Sequence, residues 1–179
     1  MPESGLSFEE EEAIRSKFIA ILLSGADRPI KNKINFQKEL FLFAKSFPKF
    51  FALFEFIPHY YGPYSQSAAD SIENHDDYFV SDTKGIYLTA EGKNIAEESL
   101  LNEFSTENRE KIIISMNIVR SLYDSLTSDE LMFLVYKTYD YTEKSDKIDS
   151  LLEKKEYLAG RLLKKGVITE KRYRELIED

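Results

Sequence analysis

Apolar residues recur every three or four positions over most of the chain, and a short polar side chain precedes each apolar run. This arrangement predicts a series of amphipathic helices that begin at side-chain N-caps. The first helix is predicted from Ser7, which opens the capping box Ser-Phe-Glu-Glu, to Gly25. The second is predicted from an N-cap at Asn35 to Pro48, because the residue before a proline disfavours helical conformation. The other predicted N-caps are Ser65, Thr89, Ser105, Ser128 and Thr169.

Two short apolar segments, residues 78–80 and 86–88, favour strands instead, and the loop between them ends in a glycine. They predict a β-hairpin. The helix after it contains Gly92, which we expect to lower its stability. The element order predicts a mainly α (α+β) fold: a winged helix-turn-helix domain over residues 7–104, with the hairpin as its wing. Residues 105–179 are predicted to form a helical extension that packs on this domain or joins two chains in a homodimer.

The most unusual segment is residues 50–64, in which seven of fifteen side chains are aromatic. The phenylalanines are typical of a core, since aromatic rings bury large areas. The tyrosines could instead lie at the surface, because each hydroxyl needs a polar partner. Gly62 and Pro63 predict a sharp turn. Ser65 follows this turn as the predicted N-cap of the next helix.

Three segments resemble a known family. Residues 34–44 read INFQKELFLFA and resemble the LQKLLYLAQ helix of the Panacea domain; residues 59–65 read HYYGPYS and resemble its W-K-Y-G-P-V-x-P turn. Residues 86–93 read IYLTAEGK and are similar to the Y-x-L-T-x-E-G-K element that is common after winged-helix wings. The resemblance covers residues 10–100 approximately, and His59 stands where the family has tryptophan. It implies a protein-binding role as an antitoxin or adaptor, in toxin–antitoxin loci or on mobile elements.

The amino-acid composition excludes several kinds of metal and disulfide site and disfavours some classes of partner. The chain has no cysteine and two histidines, which excludes disulfides, thiolate metal sites and a three-histidine zinc site. The formal net charge of −8 disfavours non-specific binding to nucleic acids. The acidic N-terminal segment lacks the positive charge of a signal peptide and no apolar run is long enough for a membrane span, so a cytoplasmic protein without a membrane partner is expected.

One functional hypothesis is a winged-helix transcriptional regulator that binds duplex DNA. Residues 28–49 and residues 161–174 each carry six cationic side chains and one anionic side chain. Basic side chains of this kind contact phosphates. The predicted phosphate contacts are Lys31, Lys33, Lys38 and Lys84. Against this hypothesis, the candidate recognition helix after Ser65 has no Lys or Arg, although its Gln66 could bind an adenine edge.

The favoured hypothesis is a non-catalytic regulatory module that binds another protein, as an antitoxin-like protein or an adaptor. Tyrosine is a frequent interface residue, because it offers a large rigid area with a polar tip. The candidate recognition helix after Ser65 is acidic, so it adds charged side chains beside the tyrosines. The predicted partner-binding residues are Tyr60, Tyr61, Tyr64, Gln66, Asp70 and Glu73.

An enzyme is the least supported hypothesis. The tripeptide His75-Asp76-Asp77 could be a metal or acid–base site, but consecutive side chains point apart, and a solvated turn is the favoured interpretation. His59 is interpreted as a packed or capping residue. The chain contains no phosphate-binding loop and no Gly-x-Ser-x-Gly sequence. We therefore expect no catalytic residues, no metal and no cofactor.

Overall fold

The computed structural model describes residues 5–178, so residues 1–4 of the acidic N-terminal segment and the last residue of the predicted extension lie outside it. The first half contains the helices α1 (Phe8–Ser24), α2 (Lys33–Lys45), α3 (Pro48–Phe54), α4 (Gln66–Asn74) and α5 (Ala90–Asn102). Its strands are β1 (Ile57–His59), β2 (Gly62–Tyr64), β3 (Phe79–Asp82) and β4 (Gly85–Leu88). The second half contains α6 (Thr106–Tyr123), α7 (Ser128–Thr138), α8 (Ile148–Leu152), α9 (Lys155–Lys164) and α10 (Glu170–Glu178).

The prediction of a mainly helical protein with a small antiparallel hairpin is confirmed. Between residues 5 and 178, no helix is both long and apolar enough to cross a membrane. The hairpin β3–β4 follows α4 and precedes α5, which is the predicted order. Its register pairs Phe79 with Leu88 and Asp82 with Gly85, so the connecting loop is shorter than expected.

The helices α1 and α2 lie at the centre of the larger core. Phe18 of α1 stacks between Phe43 and Phe50, at ring-centroid distances of 4.5 and 4.4 Å. Ile112 and Met116 of α6 are buried in this same core. The predicted boundary at residue 105 thus lies between helices that share a core, and the division into two parts stays a prediction. A second, smaller core lies among α7, α8, α9 and α10.

Five of the seven predicted N-caps are confirmed. The capping box of α1 is complete, with the Glu10 N–H donating to Ser7 Oγ and the Ser7 N–H donating to Glu10 Oε2 at 2.7 Å. The other four hydroxyl groups each accept a hydrogen bond from the backbone three residues later. They belong to Ser65, Thr89, Ser105 and Thr169.

The predictions of Asn35 and Ser128 as N-caps are wrong. Asn32 caps α2 and accepts from the Asn35 N–H at 2.9 Å, and Thr127 caps α7. The two side chains bond to each other instead, because Ser128 Oγ donates to Asn35 Oδ1 at 2.7 Å. Both polar groups are therefore used to join α2 to α7.

The aromatic segment contains one helix and two strands that were not predicted. Helix α2 ends at Lys45, and Pro48 begins α3 rather than ending α2. Proline suits a first helical position, where its missing N–H has no partner to lose. The strands β1 and β2 then form an antiparallel hairpin in which Ile57 pairs with Tyr64 and His59 pairs with Gly62. The prediction of a turn at Gly62 and Pro63 is therefore wrong, because both residues lie in β2 and the turn is formed by Tyr60 and Tyr61.

The sequence predicts that Gly92 lowers the stability of its helix, and the structure shows why glycine is needed at this position. A Cβ atom at this position would lie 2.2 Å from the carbonyl oxygen of Tyr78. The absence of a side chain therefore lets the first turn of α5 approach the backbone that leads into β3. In the C-terminal part, residues 153 and 154 separate two helices, since α8 ends at Leu152 and α9 begins at Lys155.

Candidate functional site

The strands β1 and β2 and the two tyrosines that join them, residues 57–64, form what we call the aromatic hairpin. Its turn residues Tyr60 and Tyr61 are 54% and 39% exposed. The His59 ring stacks on Tyr64 at 4.8 Å, so His59 is packed as expected. The aromatic hairpin therefore presents the side chains of Tyr60 and Tyr61 to solvent.

Two consecutive side chains of α2 hold the end of the aromatic hairpin. The Gln37 amide accepts from the Ser65 N–H at 2.8 Å and donates to the Ser65 carbonyl at 3.0 Å. Next to it, Lys38 Nζ donates to the Pro63 carbonyl at 3.1 Å. Because Ser65 also caps α4, these bonds fix the hairpin, the turn and the start of α4 relative to α2.

The second half of the chain supports the turn from the other side. The ring of Tyr136 on α7 packs against Gly62, and its hydroxyl is 2.7 Å from Ser145 Oγ. Ser145 in turn donates to the Tyr60 carbonyl at 3.3 Å. The backbone of the aromatic hairpin is thus held in place while its tyrosine side chains stay accessible.

A cavity of about 210 Å³ lies between the aromatic hairpin, α2 and α4. The ion pair between Lys33 and Glu73, with an N–O distance of 3.0 Å, belongs to its lining, and both side chains are well exposed. The rest of the wall is largely apolar or aromatic, so the cavity can receive an apolar side chain of a partner. The wall includes Ile34, Phe36, Tyr61, Tyr64, Ala69 and Ile72.

The predicted partner-binding residues on α4 lie beside this cavity. Gln66 Nε2 donates to Asp70 Oδ1 at 2.7 Å, and the Tyr64 hydroxyl donates to Gln66 at 3.3 Å. Burial and the nearby carboxylates of Asp70 and Glu73 raise the pKa of Tyr64, while Lys33 acts in the opposite direction. Tyr64 is therefore a neutral hydrogen-bond donor at neutral pH.

The predicted phosphate contacts are not equivalent in the structure. Lys38 is only 2% exposed, so the expectation that it contacts phosphates at the surface does not fit its place in the fold. Burial lowers its pKa to about 7. Lys31 Nζ donates to the Leu126 carbonyl at 3.0 Å, and Lys33 pairs with Glu73. Lys84 lies exposed in the turn between β3 and β4.

Much of the remaining positive charge in the two basic segments is paired. Arg28 Nε lies 2.6 Å from Asp124 Oδ2. Arg161 and Lys165 both bond to the buried carboxylate of Glu130, at 2.9 and 2.6 Å. These ion pairs neutralise part of the positive charge of residues 28–49 and of residues 161–174.

The tripeptide at residues 75–77 is not arranged as a metal site. His75 ends α4, and its Nε2 lies 3.2 Å from Glu12 Oε1 of α1, while its Nδ1 lies 3.9 Å from Asp77. Among residues 5–178, no group of three or more His, Asp or Glu side chains could hold a metal ion. His75 is placed to link α4 to α1.

The roles of Gln37 and Lys38 were missed from the sequence. A signal was available, because polar residues at positions 35 and 37–39 occupy a helix whose apolar residues already define a buried face. All four polar side chains are buried, so α2 is enclosed on nearly every side. Polar residues within such a helix need partners from other elements.

Comparison with protein-family models and curated proteins adds no information on function. The sequence matches no known family model, and no curated protein is significantly similar to it. The resemblance to the Panacea domain stays a prediction.

Proposed function

We propose that this protein is a non-catalytic regulatory module that binds a partner protein through the aromatic hairpin and α4, as an antitoxin-like protein or an adaptor. The observation that carries the proposal is the pair of exposed tyrosines, Tyr60 and Tyr61, held on a fixed backbone beside an apolar cavity. Tyrosine side chains contribute strongly to interfaces, and a surface that is already ordered loses less entropy on binding. The winged-helix fold and the resemblance to the Panacea domain are part of the same proposal.

The alternative, a winged-helix regulator that binds DNA, has less support. It would place α4 in the major groove, but this helix carries Asp70 and Glu73 and no cationic side chain. Of the four predicted phosphate contacts, Lys38 is buried, while Lys31 and Lys33 bond within the protein. Lys84 in the wing turn is the contact that best suits this alternative.

The proposal is tested by affinity capture from the natural host with the wild-type protein and a Tyr60→Ala/Tyr61→Ala double variant. We expect a specific protein to be retained by the wild-type chain and lost, or bound at least tenfold more weakly, by the double variant, since interface hot spots have this effect. The matched control is Tyr157→Ala, which removes an exposed tyrosine on α9, away from the aromatic hairpin. The control should retain the partner.

Equal capture by the wild-type protein and the folded double variant would contradict the proposed surface. The same samples are tested for fluorescence anisotropy with pooled duplex DNA at low and near-physiological salt. Binding that weakens steeply with salt and depends on Lys84 would favour the DNA-binding alternative instead.

A further inference from the structure

A second and larger cavity lies on a different part of the molecule. It has a volume of about 530 Å³ and lies between the loop after α1, the hairpin β3–β4, α5 and α6. We call it the wing cleft. A volume of this size is typical of sites for small molecules. Its apolar wall consists of Leu23, Leu88, Leu100, Leu101 and Ile113.

The polar lining of the wing cleft is more basic than the protein as a whole. Four cationic side chains and two carboxylates line it, in a chain whose net charge is −8. The local excess of positive charge next to an apolar wall fits a ligand with an apolar body and one acidic head group. The two carboxylates disfavour a ligand with many negative charges. The charged residues are Arg28, Lys84, Lys93, Arg109, Asp27 and Glu97.

The cations of the wing cleft differ in how far they are already paired. Arg28 is engaged by Asp124, whereas Lys93 Nζ is 4.0 Å from Asp27 Oδ1, at the limit for an ion pair. Lys84 is exposed in the wing turn. Lys84 and Lys93 are thus available to an incoming anion.

Arg109 gives an independent indication of a missing acceptor. One terminal nitrogen donates to the Leu101 carbonyl at 2.8 Å, but the buried Nε has no hydrogen-bond partner among the described residues. An unpartnered buried donor is costly, and most such groups in proteins have a partner. Arg109 also lines the wing cleft, so its guanidinium is placed to donate to an anion bound there.

We propose that the wing cleft binds a small amphipathic anion, with its apolar body against the leucines and its acidic head group near Lys93 and Arg109. The head group is a carboxylate, a sulfonate or a phosphate monoester, each of which combines negative charge with at least two acceptor oxygens. The ligand would contact the hairpin β3–β4, α5 and α6 together, since all three line the wing cleft. This site is separate from the aromatic hairpin and does not depend on the proposed protein partner.

The experiment uses the absence of tryptophan from the chain. A Leu101→Trp variant places the only indole at the wing cleft, at a position that is 52% exposed and so tolerates a larger side chain. Its fluorescence is titrated with decanoate, decyl phosphate, decanol and decylamine, each below its aggregation concentration, and with acetate. We expect saturable binding of one or both anions, at least about tenfold tighter than decanol, because a charged hydrogen-bonded contact has this effect. Decylamine and acetate should bind more weakly still.

Variants then locate the head group. In the Leu101→Trp protein, Lys93→Gln and Arg109→Gln should each weaken binding of the anion by about five- to tenfold while leaving decanol unchanged. The control Lys111→Gln removes an exposed cation on α6 that lies outside the cleft and should have no effect. If Arg109→Gln unfolds, the exposed Lys93 variant still provides the test.

Three results would overturn the proposal. The first is the absence of saturable binding for every probe, both in the Leu101→Trp protein and in calorimetric titrations of the wild-type protein, which keeps Leu101. The second is equal affinity for decanoate, decyl phosphate and decanol, which would leave only a non-specific apolar surface. The third is unchanged anion affinity in the folded Lys93 and Arg109 variants, which would place the head group elsewhere. A difference between decanoate and decyl phosphate would show which head group the site prefers.

Discussion

Lys38 is the side chain whose environment differs most from what its residue type suggests. Its ammonium is enclosed by α2 and the aromatic hairpin and bonds to one backbone carbonyl, that of Pro63. Burial disfavours the charged form, which is why its pKa falls from 10.5 to about 7. At neutral pH the residue is thus close to its titration midpoint inside the protein.

The pKa of Lys38 predicts a pH dependence of stability. Between pH 7 and 10.5 the unfolded chain binds more protons at Lys38 than the folded protein, so this residue's contribution to the free energy of unfolding rises with pH. Lys38→Met removes this dependence. We expect the stability of the variant relative to wild type to fall as pH rises from 7 to 9, by up to about 1.4 kcal/mol per pH unit. Urea unfolding at pH 6.5, 7.5 and 8.5 measures it.

A matched substitution at an exposed lysine separates this effect from general titration. For Lys164→Met on α9, the difference from wild type should be the same at all three pH values. Curves for Lys38→Met and wild type that stay parallel across the range would contradict the buried, titrating lysine.

Among the structural elements, the aromatic hairpin depends most on one backbone position. Gly62 has φ +86°, a conformation that side chains rarely adopt, and a Cβ there would lie 2.9 Å from Tyr136 Cε1 and 3.3 Å from Lys38 Cε. The start of β2, directly after the turn, therefore needs glycine both for its dihedral angle and for its contact with α7.

Substitution of Gly62 should destabilise the protein through both effects. We expect Gly62→Val to lower the free energy of unfolding by about 2–4 kcal/mol, the sum of left-handed backbone strain and overpacking. Gly166→Val is the control, since Gly166 has φ +71° with nothing within 4 Å of its Cβ position, and it should lose only the strain component. Equal losses in urea unfolding would show that the contact with Tyr136 is unimportant, and an unchanged melting temperature for Gly62→Val would refute the requirement for glycine at the start of β2.

The chain as a whole is joined by a buried cluster of charges between α1, α2 and α6. Arg120 of α6 donates to the Leu23 carbonyl at 2.8 Å and to Asp124 Oδ1 at 2.8 Å. Glu39 of α2 is fully buried, 3.9 Å from Arg120 Nε. Burial and the neighbouring Asp124 carboxylate raise the pKa of Glu39, while Arg120 acts in the opposite direction. A protonated Glu39 would share its proton with Asp124.

Removal of Arg120 should therefore weaken the whole fold. Arg120→Ala leaves Glu39 buried without the cation beside it and Asp124 paired with Arg28 alone, and we expect a loss of about 3–5 kcal/mol in the free energy of unfolding. The control Arg174→Ala, at an exposed position of α10, should change stability by less than about 0.5 kcal/mol. The wild-type protein should unfold in one calorimetric transition. Two separate transitions, with only one shifted by Arg120→Ala, would instead support independent folding of residues 7–104 and 105–179.

Features that depend on neighbours in the sequence were predictable. The caps at Ser7, Ser65 and Thr89 need only a hydroxyl and a backbone N–H three residues later, and both belong to the same local segment. The hairpin β3–β4 follows from apolar strand segments around a short turn that ends in glycine. The mainly helical fold follows from the spacing of apolar residues, because that spacing decides which face each helix can bury.

Features that depend on distant partners needed the folded chain. Asn35 and Ser128 have good capping chemistry, yet they bond to each other across 93 residues, and the caps pass to Asn32 and Thr127. Packing buries Lys38, and its hydrogen-bond acceptor is a carbonyl 25 residues away. The wing cleft likewise joins residues from four separate segments. Local sequence determines where an element begins, whereas the identity of each buried polar partner is set by packing, since only packing excludes the water that would otherwise satisfy these groups.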